Sequence, residues 1–240
     1  MLALSVVGHP STHSFSHAMA VRAETTLELL GVEVAHHDLY AEGFEPVRGG
    51  DELVALHQDQ LAAADLLLVF HPNWWGMPPA VLKGWVDRVF VPHVAYRDAP
   101  IGFPPLGLLK ARTALIFNTG DTPPEREAAV FGDPLDTLWK AQILGFCGVD
   151  DVVRRLYAPV SSSTDEQRGI WLDEVDALVA AAAHRGDGAR HAGLGRVLRH
   201  PPRTPVPGTP ADGGAAPLRG GGDDQRIVAT RHRAQVAAPG

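Results

Sequence analysis

The most constraining feature of the chain is the run Leu66-Leu67-Leu68-Val69-Phe70, five apolar residues in a row between Asp65 and His71-Pro72. A run this short, with no polar alternation, fits a strand covered on both faces. Leu2–Val7, Val32–His36, Thr113–Phe117 and Val152–Tyr157 read as its companions. Segments of helical spacing lie between them. Ala20, Ala23, Leu27 and Leu30 recur on one face and stop at Gly31, where a C-cap belongs. Leu53, Leu56 and Leu61 suggest a second helix. Val81, Leu82, Trp85, Val86 and Val89 form a wide stripe after Pro78 and Pro79, which suit a helix start. Leu135, Leu138, Trp139, Ile143 and Phe146 mark a fourth helix. A last one opens on the capping box Thr164-x-x-Gln167 and carries Trp171, Val175, Leu178 and Ala182. Five strands alternating with helices predict an α/β domain with a parallel sheet and right-handed crossovers. Such sheets bind ligands beyond the carboxyl ends of their strands, which directs attention to loops 8–16, 71–78 and 118–124.

Composition sets the limits of that domain. Near His184 the pattern changes abruptly: 18 of the 56 residues from 185 to 240 are Gly or Pro. Such a segment buries too little apolar surface to offset its ordering entropy, so it reads as a disordered tail. It holds nine Arg and four Asp, a net +5, which leaves −12 of the overall −7 on residues 1–184. An acidic domain argues against nucleic-acid binding. No stretch reaches 18 uninterrupted apolar residues, so membrane insertion is not expected. The opening residues lack the basic region and cleavage site of a signal peptide. Cys147 is the sole cysteine, which excludes an intrachain disulfide and fits a cytoplasmic protein. In its apolar context Cys147 reads as a small buried hydrophobe.

The first loop, Gly8-His9-Pro10-Ser11-Thr12-His13-Ser14-Phe15-Ser16, precedes a helix. Free N–H groups and hydroxyls at a helix N-terminus suit a phosphate, although Ser14 and Ser16 would serve equally as plain N-caps. No G-x-G-x-x-G follows the first strand and no P-loop motif occurs. His9, His13 and His17 are four apart, but Pro10 disfavours helix at His9 and no Cys or carboxylate completes a zinc set, so no metal is expected. The second loop places Trp74 and Trp75 at the mouth of the buried strand, between Pro72 and Pro78. Exposed, they suit a rigid wall for a planar ring; the alternative is that one of the two packs beneath the loop. Trp85 and Trp139 fall on apolar stripes and read as core. His36 and His37 show no partner in the sequence.

The segment Pro72-Asn73-Trp74-Trp75-Gly76-Met77-Pro78-Pro79-Ala80-Val81-Leu82-Lys83-Gly84-Trp85-Val86-Asp87-Arg88-Val89-Phe90 resembles the signature of the NAD(P)H:quinone oxidoreductase family, flavodoxin-like proteins. Gly8-His9-Pro10 with Ser14-Phe15-Ser16, Phe131-Gly132-Asp133-Pro134 and Phe146-Cys147-Gly148-Val149 are similar to further family segments. The resemblance covers residues 1 to about 180. It implies a flavodoxin-like three-layer sandwich with strand order 2-1-3-4-5 over residues 1–184, a non-covalent flavin, FAD rather than FMN, and NAD(P)H as co-substrate. Residues carried over for the flavin are His9, Ser14, Phe15 and Ser16 around the phosphates and Pro72, Asn73, Trp74, Trp75 and Gly76 along the isoalloxazine. Asn118, Thr119, Gly120 and Asp121 approach the ring's pyrimidine side with their amides. Where mammalian quinone reductases place a Tyr and a His that assist hydride transfer, this chain has Glu125 and Phe131. The resemblance also implies a homodimer. The apolar extension Val91-Pro92-His93-Val94-Ala95-Tyr96 is expected at its interface, with Tyr96 the one catalytic candidate, acting on the partner's site.

The leading expectation is therefore a ping-pong oxidoreductase that passes equivalents from NAD(P)H through flavin to a quinone-like acceptor. A regulatory subunit of a transporter and a flavodoxin-like electron carrier stand as the alternatives.

Overall fold

A computed structural model describes residues 1–100 and 105–191, with side chains to Arg185. The elements run β1 (Leu2–Val7), α1 (Phe15–Leu29), β2 (Glu33–Asp38), α2 (Asp51–Ala63), β3 (Leu66–Pro72), α3 (Ala80–Val89), β4 (Tyr96–Arg97), β5 (Leu106–Gly107) and β6 (Thr113–Thr119). Two helical stretches follow, α4 (Pro124–Arg126) and α5 (Pro134–Thr137), each continuing into a π-helical segment, Glu127–Phe131 and Leu138–Leu144. Then come β7 (Asp151–Tyr157) and α6 (Asp165–His191). β2, β1, β3, β6 and β7 form one parallel sheet in that order, the expected 2-1-3-4-5 counted over its own strands. β4 and β5 make a separate antiparallel pair.

Alternating strand residues feed two cores, because successive side chains leave a strand on opposite faces. Ala3, Val7, Leu66, Leu68, Phe70, Leu115 and Phe117 pack with α1 and α6. Leu4, Val6, Leu67, Val69, Ala114 and Ile116 pack with α2, α3 and the 135–144 segment, where Trp85 and Trp139 are fully buried as expected. Cys147 lies in this second core, and burial pushes its thiol up to about 12. Among the described residues no helix is long and apolar enough to cross a membrane.

Several expectations need correction. In α2 the buried residues are Val54, His57 and Leu61, while Leu56 is exposed. His57 can be buried because Trp85 Nε1–H donates to its Nδ1 at 2.8 Å and Glu42 Oε2 lies 3.3 Å from its Nε2. His37 stacks on His57, with ring centroids 3.7 Å apart, and bonds Glu42 and Gln60. His36 bonds Glu24 at 2.6 Å. Both histidines that looked partnerless in sequence are thus paired. Burial raises the Glu42 carboxyl, but the His37 and His57 contacts outweigh it and hold it at about 2. The ligand-type atoms of His37, Glu42 and His57 lie within 4.8 Å of one another. The Trp85 donor nevertheless puts the proton of neutral His57 on Nε2, which removes the lone pair a metal would need. Phe146 is exposed, whereas Leu144 is buried. The 91–96 extension also finds a place: Ala95 is fully buried and Tyr96 packs on Phe146 at 4.9 Å. α6 carries past the expected domain end at His184 to His191, and the rest of the 185–240 segment lies outside the described residues.

Candidate functional site

Chain order reverses between β1 and β3, and in open α/β sheets that crevice is where ligands bind. Gly8 N–H bonds Phe70 O at 2.9 Å and ties the first loop to the end of β3. A Cβ on Gly8 would lie 3.0 Å from Leu82, so any larger residue here would press on α3. Ser14 caps α1 and accepts from His17 N–H at 3.3 Å. Its hydroxyl also contacts His17 Nδ1 at 2.8 Å, while His17 Nε2 reaches Asp38 Oδ2 at 2.9 Å. His17 thus takes the third-residue place that Glu or Gln fills in a capping box. His9 caps the loop from inside, accepting Ser11 N–H at 3.0 Å, and burial holds its imidazole below the usual range. The Phe15 ring turns away to pack on Tyr157 and Trp171, and Ser16 is buried with Oγ 3.4 Å from Thr119. What these two residues offer an anion is their first-turn backbone N–H, free as helix geometry requires.

The tryptophan loop is a tight reversal. Trp74 and Met77 exchange two backbone bonds of 3.0 Å, and the central residues Trp75 and Gly76 stand at φ 57° and 73°. Positive φ at both positions is the type I′ pattern, natural for Gly76 and strained for Trp75. A Cβ on Gly76 would also lie 2.8 Å from Pro134. Trp75 is fully exposed and Trp74 42% exposed, so neither packs beneath the loop. Asn73 organises the turn: its N–H bonds Thr119 O at 2.6 Å, its Oδ1 accepts Gly76 N–H at 2.9 Å, and its Nδ2 donates to Glu127 at 3.0 Å.

Below the turn runs a buried polar chain. His71 Nδ1–H donates to Pro72 O at 2.8 Å, which leaves Nε2 to accept from Trp139 at 2.9 Å and Asn118 at 2.8 Å. Burial, with the Arg154 charge adding to it, holds His71 down at about 4 and keeps it neutral. Arg154 donates to Asn118 Oδ1 at 2.8 Å and to Asp133, the cap of α5. The Asn118 side chain is therefore spent below the site. In the third loop Gly120 N–H bonds Tyr157 O at 3.2 Å, and Asp121 accepts Ser161 N–H at 2.8 Å. That bond holds the Asp121 carboxyl below its ordinary value.

These loops enclose a cleft of about 360 Å³ lined by Asn73, Trp75, Gly76, Gly120, Asp121, Thr122, Glu127, Phe131 and Pro134. The backbone N–H groups of Trp75, Asp121 and Thr122 have no partner among the described residues. An exposed indole beside free N–H donors suits a planar ring with a polar edge. Phe131 stands on the cleft wall, whereas Glu125 is exposed and away from the lining. His17, Asp38 and Glu127 were not singled out as site residues in the sequence. The spacing of His17 three residues after Ser14 was a usable signal; Glu127 offered none.

The flavodoxin-like fold family matches residues 1–175. Ribosyldihydronicotinamide dehydrogenase [quinone] of Rattus norvegicus is 30% identical over 201 residues, covering 70% of this chain and 86% of that protein. FMN-dependent NADH:quinone oxidoreductase of Thiobacillus denitrificans is 35% identical over 105 residues, 42% of this chain and 45% of its own length. The crystal structure of Smu.1420 from Streptococcus mutans UA159 superposes with TM-score 0.65 at 30% identity, covering 75% of this chain and 98% of that one.

Proposed function

The chain belongs to the flavodoxin-like fold family of quinone-reducing NAD(P)H oxidoreductases, and from that premise we propose that it transfers reducing equivalents from NAD(P)H through a bound flavin to a quinone-like acceptor. The observation that carries this reading is the fully exposed Trp75 at positive φ, beside unpartnered N–H groups in a cleft at the carboxyl end of a parallel sheet. When bound, the flavin supplies the hydride chemistry and the protein supplies position and electrostatics.

The chain's own residues divide the work by place. Trp75 and Gly76 form the wall for the ring, and the Trp75, Asp121 and Thr122 N–H groups face its polar edge. The first turn of α1, with Ser14, Phe15 and Ser16, receives the phosphate, and His9 shapes the approach. Asn118 and Thr119 act from beneath, one through His71 and the other through Ser16. Phe131 closes the cleft with an apolar surface and carries no proton, so an acceptor takes its proton from solvent or from its neighbours and not from a Tyr–His pair.

The expected preference for FAD turns toward FMN, the flavin that a relative's name specifies. We infer a homodimer as well. Trp74, Met77, Val130, Phe131 and Phe146 are all exposed, and an isologous partner would cover such a surface. Tyr96, held against Phe146, would then lie near the partner's cleft. A cytoplasmic setting suits the single buried thiol.

Reconstitution tests the reading. The protein should turn yellow with flavin, bleach with NAD(P)H without oxygen, and recover colour when a quinone is added. Colour that NAD(P)H leaves unbleached would make it a carrier. Mass spectrometry of the released flavin separates FMN from FAD. Sedimentation at micromolar concentration tests the dimer, and a monomer with full turnover would defeat it together with the role of Tyr96.

A further inference from the structure

We propose that Glu127 is a positioning residue for the flavin ring, acting through Asn73 on the Trp75–Gly76 turn; this rests on the flavin reading above. Glu127 begins the first π-helical segment and borders the cleft, yet it is only 4% exposed. Withdrawing a carboxylate from water costs free energy unless it is paired. Among the described residues no cation pairs with it, and Asn73 Nδ2 at 3.0 Å is the donor it receives.

The chemistry of the pair explains what this contact accomplishes. A carboxylate only accepts, so it dictates which end of the Asn73 amide turns toward it. With Nδ2 held by Glu127, Oδ1 faces the turn and takes Gly76 N–H at 2.9 Å. That bond, with the two between Trp74 and Met77, holds Trp75 at φ 57°. A bulky residue there is strained, so the turn stays in place only while its surroundings over-determine it. Remove the carboxylate and the amide is free to rotate, Gly76 N–H loses its acceptor, and the indole can leave the ring plane. Asn73 also bonds Thr119 O through its backbone, so the effect centres on the side-chain link and leaves the loop attached to β6.

Flavin titration of the apoprotein, followed by flavin fluorescence with FMN and with FAD, tests this. Glu127→Ala and Asn73→Ala should each weaken binding about ten-fold or more, the scale of losing a hydrogen bond to a charged group. The double variant should be no worse than either single one, because both break one link. Glu127→Gln keeps an acceptor oxygen and should stay within about three-fold of the unmodified protein. The near-ultraviolet circular dichroism of the apoprotein should change in the two alanine variants and not in Glu127→Gln. Unchanged binding in Glu127→Ala, additive losses in the double variant, or a Glu127→Gln as weak as Glu127→Ala would each overturn the assignment. If the unmodified protein binds neither flavin, the functional reading fails and takes this one with it. Tight binding by the unmodified protein with any of those three results overturns this inference alone.

Discussion

His71 shows how one buried side chain carries a pH signature. Its imidazole is fully buried, neutral, and held down at about 4, whereas an unfolded chain takes up that proton near 6.5. Below 6.5 the unfolded state binds more protons than the native one, so stability falls as pH drops from 6.5 to about 4 and then levels off. The whole effect is about 3 kcal/mol at most. Urea unfolding of the protein and of His71→Gln at pH 7 and pH 4.5 should show the gap between them narrowing at the lower pH; a constant gap would mean that His71 is not the group responsible. Glu42, held at about 2, acts in a separate window, losing its contribution as pH falls from about 4.5 toward 2. Trp75 makes the opposite kind of statement, since its conformation costs stability and, under the proposed function, serves the flavin ring. Trp75→Gly should raise stability by about 1 kcal/mol, by relieving the positive φ, while flavin binding is lost. Thermal unfolding and flavin titration on the same sample check both halves. A variant that keeps stoichiometric flavin would end the ring-wall assignment.

At the scale of elements, hydropathy located every strand of the main sheet and every helix but α4 with its π-helical continuation, though not always the face an element buries. α2 is the clearest case, because the stripe read through Leu56 while the core takes His57. A histidine enters an apolar interior when its ring is paired, and here the partners, the Trp85 N–H on Nδ1 and the Glu42 carboxylate 3.3 Å from Nε2, come from elsewhere in the chain. Leu56→Ala should therefore change stability by no more than about 0.5 kcal/mol, whereas His57→Ala should cost about 2 kcal/mol or more, because the buried Trp85 N–H loses its acceptor. Equal effects in denaturant titration would contradict this placement. The 135–146 segment fails for a different reason. Its expected α-helical stripe ends on Phe146, but winding with i→i+5 bonds from Leu138 to Leu144 rotates later residues away from the α-helical face. Trp139 and Ile143 remain inside and Phe146 comes out.

The whole domain is organised by the sheet and its two flanking layers, and the cleft inherits its position from the strand order. Ala3, Leu66 and Thr113 register side by side at one end of the strands, and all three ligand loops leave from the other. Among the residues of α6 whose side chains are described, the last buried one is Ala183, and both apolar cores draw their described members from residues 1–183. A chain ending at His191 should accordingly unfold at the same temperature and bind flavin as tightly as the full-length protein. A fall in Tm of more than a few degrees on truncation would show that residues beyond His191 contribute to the fold.

Local sequence by itself determined the alternation of strands and helices, the parallel sheet and the three loops that carry the site. Those features depend on apolar period and turn residues, which a single chain displays directly. The double tryptophan between prolines also marked its loop as a place for a ligand or a partner, because such apolar surface is costly to leave in water. The tertiary structure alone decided that neither indole is core, that Asn118 is spent on His71 and Arg154, and that His17 joins Ser14 to Asp38. It alone brought Glu127 to Asn73, 54 residues apart. Such pairings join polar groups distant in sequence, and no local pattern encodes them. They form because a buried donor or acceptor must find its partner wherever the fold delivers one.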